Sequence, residues 1–117
     1  MSVAILRQGD YVVATVQSDL TDGQVLALRD ELTELVGTLR LRGVIIDVSA
    51  LDVIDSFVAR SLHAIAIAAQ LRGARTVVVG IQPDVAIAMV HFNLKLEPLH
   101  TVLDLDEALA LLGSPSR

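Results

Sequence analysis

The sequence predicts an α/β domain: a mixed, mostly parallel β-sheet of four to five strands carrying about four α-helices. Two short apolar runs, residues 44–48 and 76–80, are almost unbroken, as strands covered on both faces are. The stretches between them place apolar residues at helical spacing. The composition is aliphatic, with 53% hydrophobic and 3% aromatic residues, and 117 residues suffice for one core without covalent staples.

In chain order, Ala4-Ile5-Leu6 and Tyr11-Val12-Val13-Ala14-Thr15-Val16 read as two strands, with turn chemistry supplied by Gly9-Asp10. Residues 18–22 are a polar connection. From Gly23 onward, Val25, Leu28, Leu32, Leu35, Val36 and Leu39 recur with the helical period, so a first helix is expected to end within residues 40–43. Gly43 then opens the strand 44–48, interrupted only by Asp47. A second helix is expected to begin near Asp55 or Ser56; its later part, 62–71, lacks proline and glycine and stops at Arg72-Gly73, a cation and then a left-handed cap.

After the strand 76–80, Pro83 fits a first helical position, and 85–92 follows as a third helix with Asn93 as its cap. Thr101-Val102-Leu103 is a short extended piece, and 104–112 a fourth helix with acids in its first turn. Residues 1–113 read as one domain, with fraying from Gly113 into a disordered tail at 114–117. Helical crossovers between the later strands imply parallel pairing.

Several function classes are disfavoured. A net charge of −5 is the wrong sign for nucleic acid or an anionic membrane surface, which leaves proteins as the expected partners. No apolar run approaches the ~20 residues of a membrane helix and no signal peptide is evident, so a cytoplasmic location is expected. With no cysteine there is neither thiol chemistry nor a cysteine zinc site. There is no Gly-x-Ser-x-Gly elbow, no phosphate-binding glycine loop with lysine and no dinucleotide fingerprint, so no enzyme and no cofactor are expected. His63, His91 and His100 are scattered, and Asp104, Asp106 and Glu107 lack calcium-loop spacing, so no metal is expected. Asp47 could be the acceptor of a receiver domain only with clustered carboxylates after the first strand, which Arg7-Gln8-Gly9-Asp10 does not offer; it reads as a strand-end aspartate bonded to loop backbone.

The candidate site is the junction Asp52-Val53-Ile54-Asp55-Ser56-Phe57, where a buried strand passes into the second helix. Two readings of Ser56 stay open. Its hydroxyl either caps the helix, with Asp55 as the competing cap, or accepts a phosphate that the helix N-terminus stabilises. No Glu or Gln stands three residues after either one, so a reciprocal capping box is missing. Phosphate would add about −1.5 to −2 charge beside Asp52 and Asp55, an acidic patch suited to altering a protein contact. Along the helix, Val58, Leu62, Ile65 and Ala69 form one apolar stripe and Phe57, Ala64, Ala68 and Leu71 an adjoining one, leaving Ala59, His63, Ala66 and Gln70 as the weakly polar remainder. That arc either packs within the domain or presents an interface around Phe57, Val58, Arg60 and His63. Ser49, Ser61 and Thr21 are further hydroxyls open to modification.

The nonapeptide from Asp52 to Arg60, with Gly80-Ile81-Gln82-Pro83 and Leu103-Asp104-Leu105-Asp106-Glu107-Ala108-Leu109, resembles the STAS domain family of sulfate-transporter C-terminal domains and anti-sigma factor antagonists. Within it the chain is similar to the RsbS-like stressosome scaffolds, and the likeness spans essentially the whole sequence. The resemblance implies a cytoplasmic, non-enzymatic bacterial regulator of the general stress response. Its acceptor serine matches Ser56, and Asp55 matches the adjacent acid. The partners it implies are an RsbT-like serine switch kinase that is held until phosphorylation releases it, an RsbR-like STAS co-scaffold, and a phosphatase that resets the state. They imply a homo-oligomer or a large hetero-assembly. The alternative is an antagonist that sequesters an anti-sigma kinase in a small complex when unphosphorylated. Phe57 directly after the serine departs from the antagonist pattern of small residues and favours the scaffold branch; no separate sensory module is expected.

Overall fold

The computed structural model describes residues 3–17, 20–91 and 97–113. Its strands stand side by side in the order in which the chain makes them: β1 (Val3–Gln8), β2 (Tyr11–Val16), β3 (Gly43–Asp47), β4 (Arg75–Val79) and β5 (His100–Val102). The first two form an antiparallel hairpin pairing Leu6 with Val13; every later pair is parallel, with Tyr11 opposite Gly43, Ile45 opposite Val77 and Val79 opposite Val102. The helices are α1 (Asp22–Thr38), α2 (Ser56–Leu71), α3 (Pro83–His91) and α4 (Leu105–Gly113). The expected α/β class and mixed, mostly parallel sheet are therefore observed. Among the described residues, no helix is long and apolar enough to cross a membrane.

Each parallel crossover shifts the chain by one strand in the same direction. Crossovers of one hand then place their helices on one face of the sheet. Accordingly α1, α2 and α3 contribute to a single large core with Val12, Ala14, Val16, Val44, Ile46, Val48 and Val78. The alternate residues Ile45, Val77 and Val79 point the other way, where, among the described helices, α4 covers them with Ala108 and Leu112. Because α4 follows the last strand, it is not a crossover and can close the opposite face. Gly43 makes that closure tight: a Cβ there would lie 2.5 Å from Leu112 Cδ1.

Some boundaries differ from expectation. α1 stops at Thr38, with Leu39 already extended, because Leu41 must turn inward to a buried position before β3 begins. α1 starts one residue early, capped by Thr21. β5 is His100–Val102, and Leu103 falls outside it, 78% exposed. Asp104, expected inside the fourth helix, precedes it and accepts a hydrogen bond from Glu107 N (2.9 Å). Gly113, expected to fray, is the last residue of α4. Gly73 takes φ +82° after α2, as a left-handed cap should. Phe92, Asn93 and the tail 114–117 lie outside the described residues.

The largest correction concerns α2. Ala59 and Ala66, expected on its weakly polar side, are buried to 4% and 2% exposure. The helix is pressed on the sheet and flanked by α1, so its buried arc runs through Ala59, Ser61, Leu62, Ile65, Ala66 and Ala69. Small side chains permit that close approach. The exposed face is Ser56, Arg60, His63, Ile67 and Gln70, spaced three and four apart.

Candidate functional site

β3 delivers the chain to the carboxyl edge of the sheet, and Asp47 shapes the turn that leaves it. Its Oδ1 accepts from Ser49 N (2.9 Å) and from Ser49 Oγ (2.6 Å), an aspartate turn that redirects the backbone. This is the strand-end role expected of Asp47. Leu51 and Ile54, each 5% exposed, pin the connection into the core. Between and after these anchors Asp52, Val53, Asp55 and Ser56 remain exposed.

A second loop braces the first. After β4, Gly80 adopts φ +80°, and a Cβ there would sit 2.7 Å from Ser49 Cβ, so neither conformation nor space admits a side chain. Gln82 Nε2 donates to Ser49 O (2.8 Å), Val48 N to Val79 O (2.9 Å) and Gly80 N to Val102 O (3.1 Å). The two loops are thus joined into one ledge on which α2 begins. In the sequence, Gly80-Ile81-Gln82-Pro83 stands out as one of the three stretches that carry the family resemblance; the contact with Ser49 is visible only in the structure.

At the start of α2 the competition for the cap is decided. Asp55 is the N-cap, with φ −84° and ψ 179°, and its Oδ1 accepts from Val58 N (2.8 Å). Ser56 is the first helical residue. Its hydroxyl is exposed and has no hydrogen-bond partner among the described residues. The other hydroxyls raised by the sequence are all engaged. Thr21 Oγ1 accepts from Gln24 N (3.2 Å), Ser49 Oγ is held by Asp47, and Ser61, 5% exposed, donates to Phe57 O (3.0 Å).

The expected interface residues divide. Arg60 and His63 are exposed on the same face as Ser56, whereas Phe57 is half-buried. Val58 is half-buried too and packs inward beside Val16, Leu20, Val25 and Leu28. His91 and His100 are exposed on other elements, and among the described residues no group of acids and histidines is placed to hold a metal.

A cleft of about 460 Å³ opens between the two loop-to-helix junctions. One wall is Asp52, Val53, Ile54, Asp55 and Ser56; the other is Asp84, Val85 and Ala88 of α3. Val85 and Ile54 are buried and form its floor, while Val53 is 68% exposed. Three carboxylates line it, and among the described residues no cation does. Asp84 was missed by sequence reading, because an acid in a first helical turn is ordinarily a favourable dipole partner and no more.

A family model described as the STAS domain matches residues 2–108. Among solved structures, a serine-to-glutamate variant of RsbS from Moorella thermoacetica is 36% identical with a TM-score of 0.82, over 96% of this chain and 95% of that one. A chain from the molecular architecture of the stressosome, a signal integration and transduction hub, is 38% identical with a TM-score of 0.77, over 93% and 95%. The anti-sigma factor antagonist SpoIIAA in its unphosphorylated form is 12% identical with a TM-score of 0.75, over 96% and 99%, a likeness of fold. No curated protein matches the chain.

Proposed function

This chain belongs to the STAS domain family, and on that premise we propose that it is a non-enzymatic stressosome scaffold and phosphorylation switch with Ser56 as the acceptor. One observation carries the reading: of the four hydroxyls raised by the sequence, Ser56 alone is exposed and unengaged, at a helix N-terminus that faces a cleft. The similarity to RsbS and to a stressosome chain, at 36% and 38% identity, favours the scaffold branch over the antagonist, to which the likeness is one of fold.

In this reading the unmodified protein retains an RsbT-type serine kinase within an assembly shared with an RsbR-like co-scaffold, and phosphorylation releases it. The modified serine carries about −1.5 to −2 charge. The α2 dipole and the Ser56 and Phe57 N–H groups offset part of it, by about 0.3–1 kcal/mol at an exposed site. Asp52, Asp55 and Asp84 oppose it. Because Leu51 and Ile54 hold the loop in the core, the new charge is expressed outward, as a changed binding surface, and not as a melted helix. A phosphatase restores the neutral hydroxyl.

The test is phosphate transfer and kinase retention together. Wild type incubated with the cognate kinase and ATP takes up phosphate at Ser56, mapped by mass spectrometry, and Ser56→Ala takes up none while still retaining the kinase. Equal uptake by the alanine variant removes the assignment.

A further inference from the structure

The sheet has β1 at one edge and β5 at the other, and the two are defended unequally. β5 is three residues long, and so short a strand offers little for another chain to pair with. β1 runs for six residues, Val3–Gln8, with neither proline nor lysine, and its one charged residue, Arg7, is drawn back to Gly9 O (3.1 Å). Val3 and Ile5 are half-buried on the α1 side of the sheet, whereas Ala4 and Leu6 are exposed.

The hairpin fixes which backbone groups of β1 are free. Gln8 stands opposite Tyr11 across the two-residue turn Gly9-Asp10, and the pair that closes such a turn exchanges its hydrogen bonds. Bonded pairs then alternate along the strand. Gln8, Leu6 and Ala4 are turned to β2, while Arg7, Ile5 and Val3 present their N–H and C=O groups to the open edge.

Those three residues are symmetric about Ile5. A second copy laid antiparallel therefore matches the edge when Ile5 faces Ile5 and each Val3 faces the other copy's Arg7. Every outward group of the three is then paired, and no like charges stand opposite each other. Ala4 of one copy also comes to face Leu6 of the other, covering a leucine that is 59% exposed in the single chain. Beside the strand, a cavity of about 530 Å³ lined by Val3, Ile5, Ala27 and Leu28, with Gln24 and Glu31, gives the facing isoleucines an apolar wall.

We propose that two copies of this chain join through β1 in that register, making one continuous sheet with its two-fold axis at Ile5. The occupant is a second copy because the free backbone groups and the apolar side chains are complementary to themselves about a single residue. β2 separates this edge from β3, which leads to α2, so the contact stands apart from Ser56 and from the phosphorylation reading.

The chain has no cysteine, which makes the register directly testable. Residues facing each other in a hydrogen-bonded antiparallel pair have Cα atoms about 5.5 Å apart, within disulfide reach. Ile5→Cys in the full chain is expected to cross-link to its own copy under mild oxidation. Val3→Cys, whose two copies lie four strand positions apart, is not.

Sedimentation equilibrium of the wild-type chain gives a dimer. Arg7→Pro removes an outward N–H without touching the bonds to β2, and Ile5→Lys sets two like charges on the axis; each raises the dimer dissociation constant about ten-fold or more. Thermal melts show both variants folded, and should Ile5→Lys fail to fold, Arg7→Pro at its exposed position carries the test. Ser56→Asp leaves the constant unchanged. A wild-type chain that stays monomeric at the highest concentration it tolerates, or folded edge variants that dimerise like wild type, overturns the proposal. Cross-linking of Val3→Cys as fast as Ile5→Cys overturns the register, and a dimer weakened by Ser56→Asp overturns the separation of edge and switch.

Discussion

Two helices leave the same edge of the sheet, and they begin differently. At α1, Thr21 accepts from Gln24 N while Thr21 N donates to Gln24 Oε1 (2.8 Å), so each residue satisfies the other's orphan group. At α2, Asp55 accepts from Val58 N and nothing answers, because the third helical residue is valine. The α1 terminus is closed on itself. The α2 terminus keeps N–H groups and a hydroxyl turned to solvent beside a cleft, the condition for a site whose charge can be changed from outside.

That contrast can be broken most forcefully through the ledge under α2. Gly80→Ala places a side chain at φ +80° and against Ser49, where the backbone is bonded to Gln82. Strain and overpacking together are expected to cost about 2–3 kcal/mol, read as a lowered urea midpoint at unchanged slope. Phosphorylation of Ser56 should slow as well, since α2 starts from that ledge. An unaltered midpoint would show that the two loops are not braced.

The two caps give a matched pair of intermediate size. Asp55→Ala and Thr21→Ala should each cost about 1 kcal/mol, because each removes an acceptor for one helical N–H group. Their functional consequences should part: the Asp55 variant alters the rate at which the kinase modifies Ser56, and the Thr21 variant leaves it at the wild-type value. Equal slowing in both would mean that the kinase senses global stability instead of the local geometry of the α2 start.

The smallest effect sharpens the comparison. Gln24→Ala removes only the return bond of the capping box and should cost a few tenths of a kcal/mol, detectable as a small melting shift. Placing the missing partner at α2, by Val58→Gln, should not be neutral in the same way, since Val58 packs beside Val16 and Leu28 and a buried amide there lacks a partner. The open cap of α2 is thus tied to its core packing.

Much of this was legible because its signals are local. The alternation of Val12, Ala14 and Val16 against Tyr11 and Val13, the unbroken run around Ile45, and the helical recurrence from Val25 to Val36 each follow from a period that a strand or helix imposes on neighbours in sequence. The Ser56 junction was visible for the same reason, as polar residues between a buried strand and an apolar helix. Ala59 and Ala66 were misread because alanine carries little hydrophobic signal; only α1 and the sheet closing around α2 bury them. The capping box at α1 was passed over although Thr21 and Gln24 stand at its spacing.

By itself, then, the sequence determined the elements, their order, the aliphatic core and the candidate acceptor at the α2 start, because hydrophobic period and turn chemistry act over a few residues. Tertiary structure alone decided which residue caps α2, which hydroxyls are tied down, and that Asp84 joins Asp52 and Ser56 around one cleft. Those facts depend on strands β3 and β4 lying in parallel register, which brings Ser49 against Gly80 and the start of α3 beside the start of α2 across some thirty intervening residues. No local rule spans that distance; packing does.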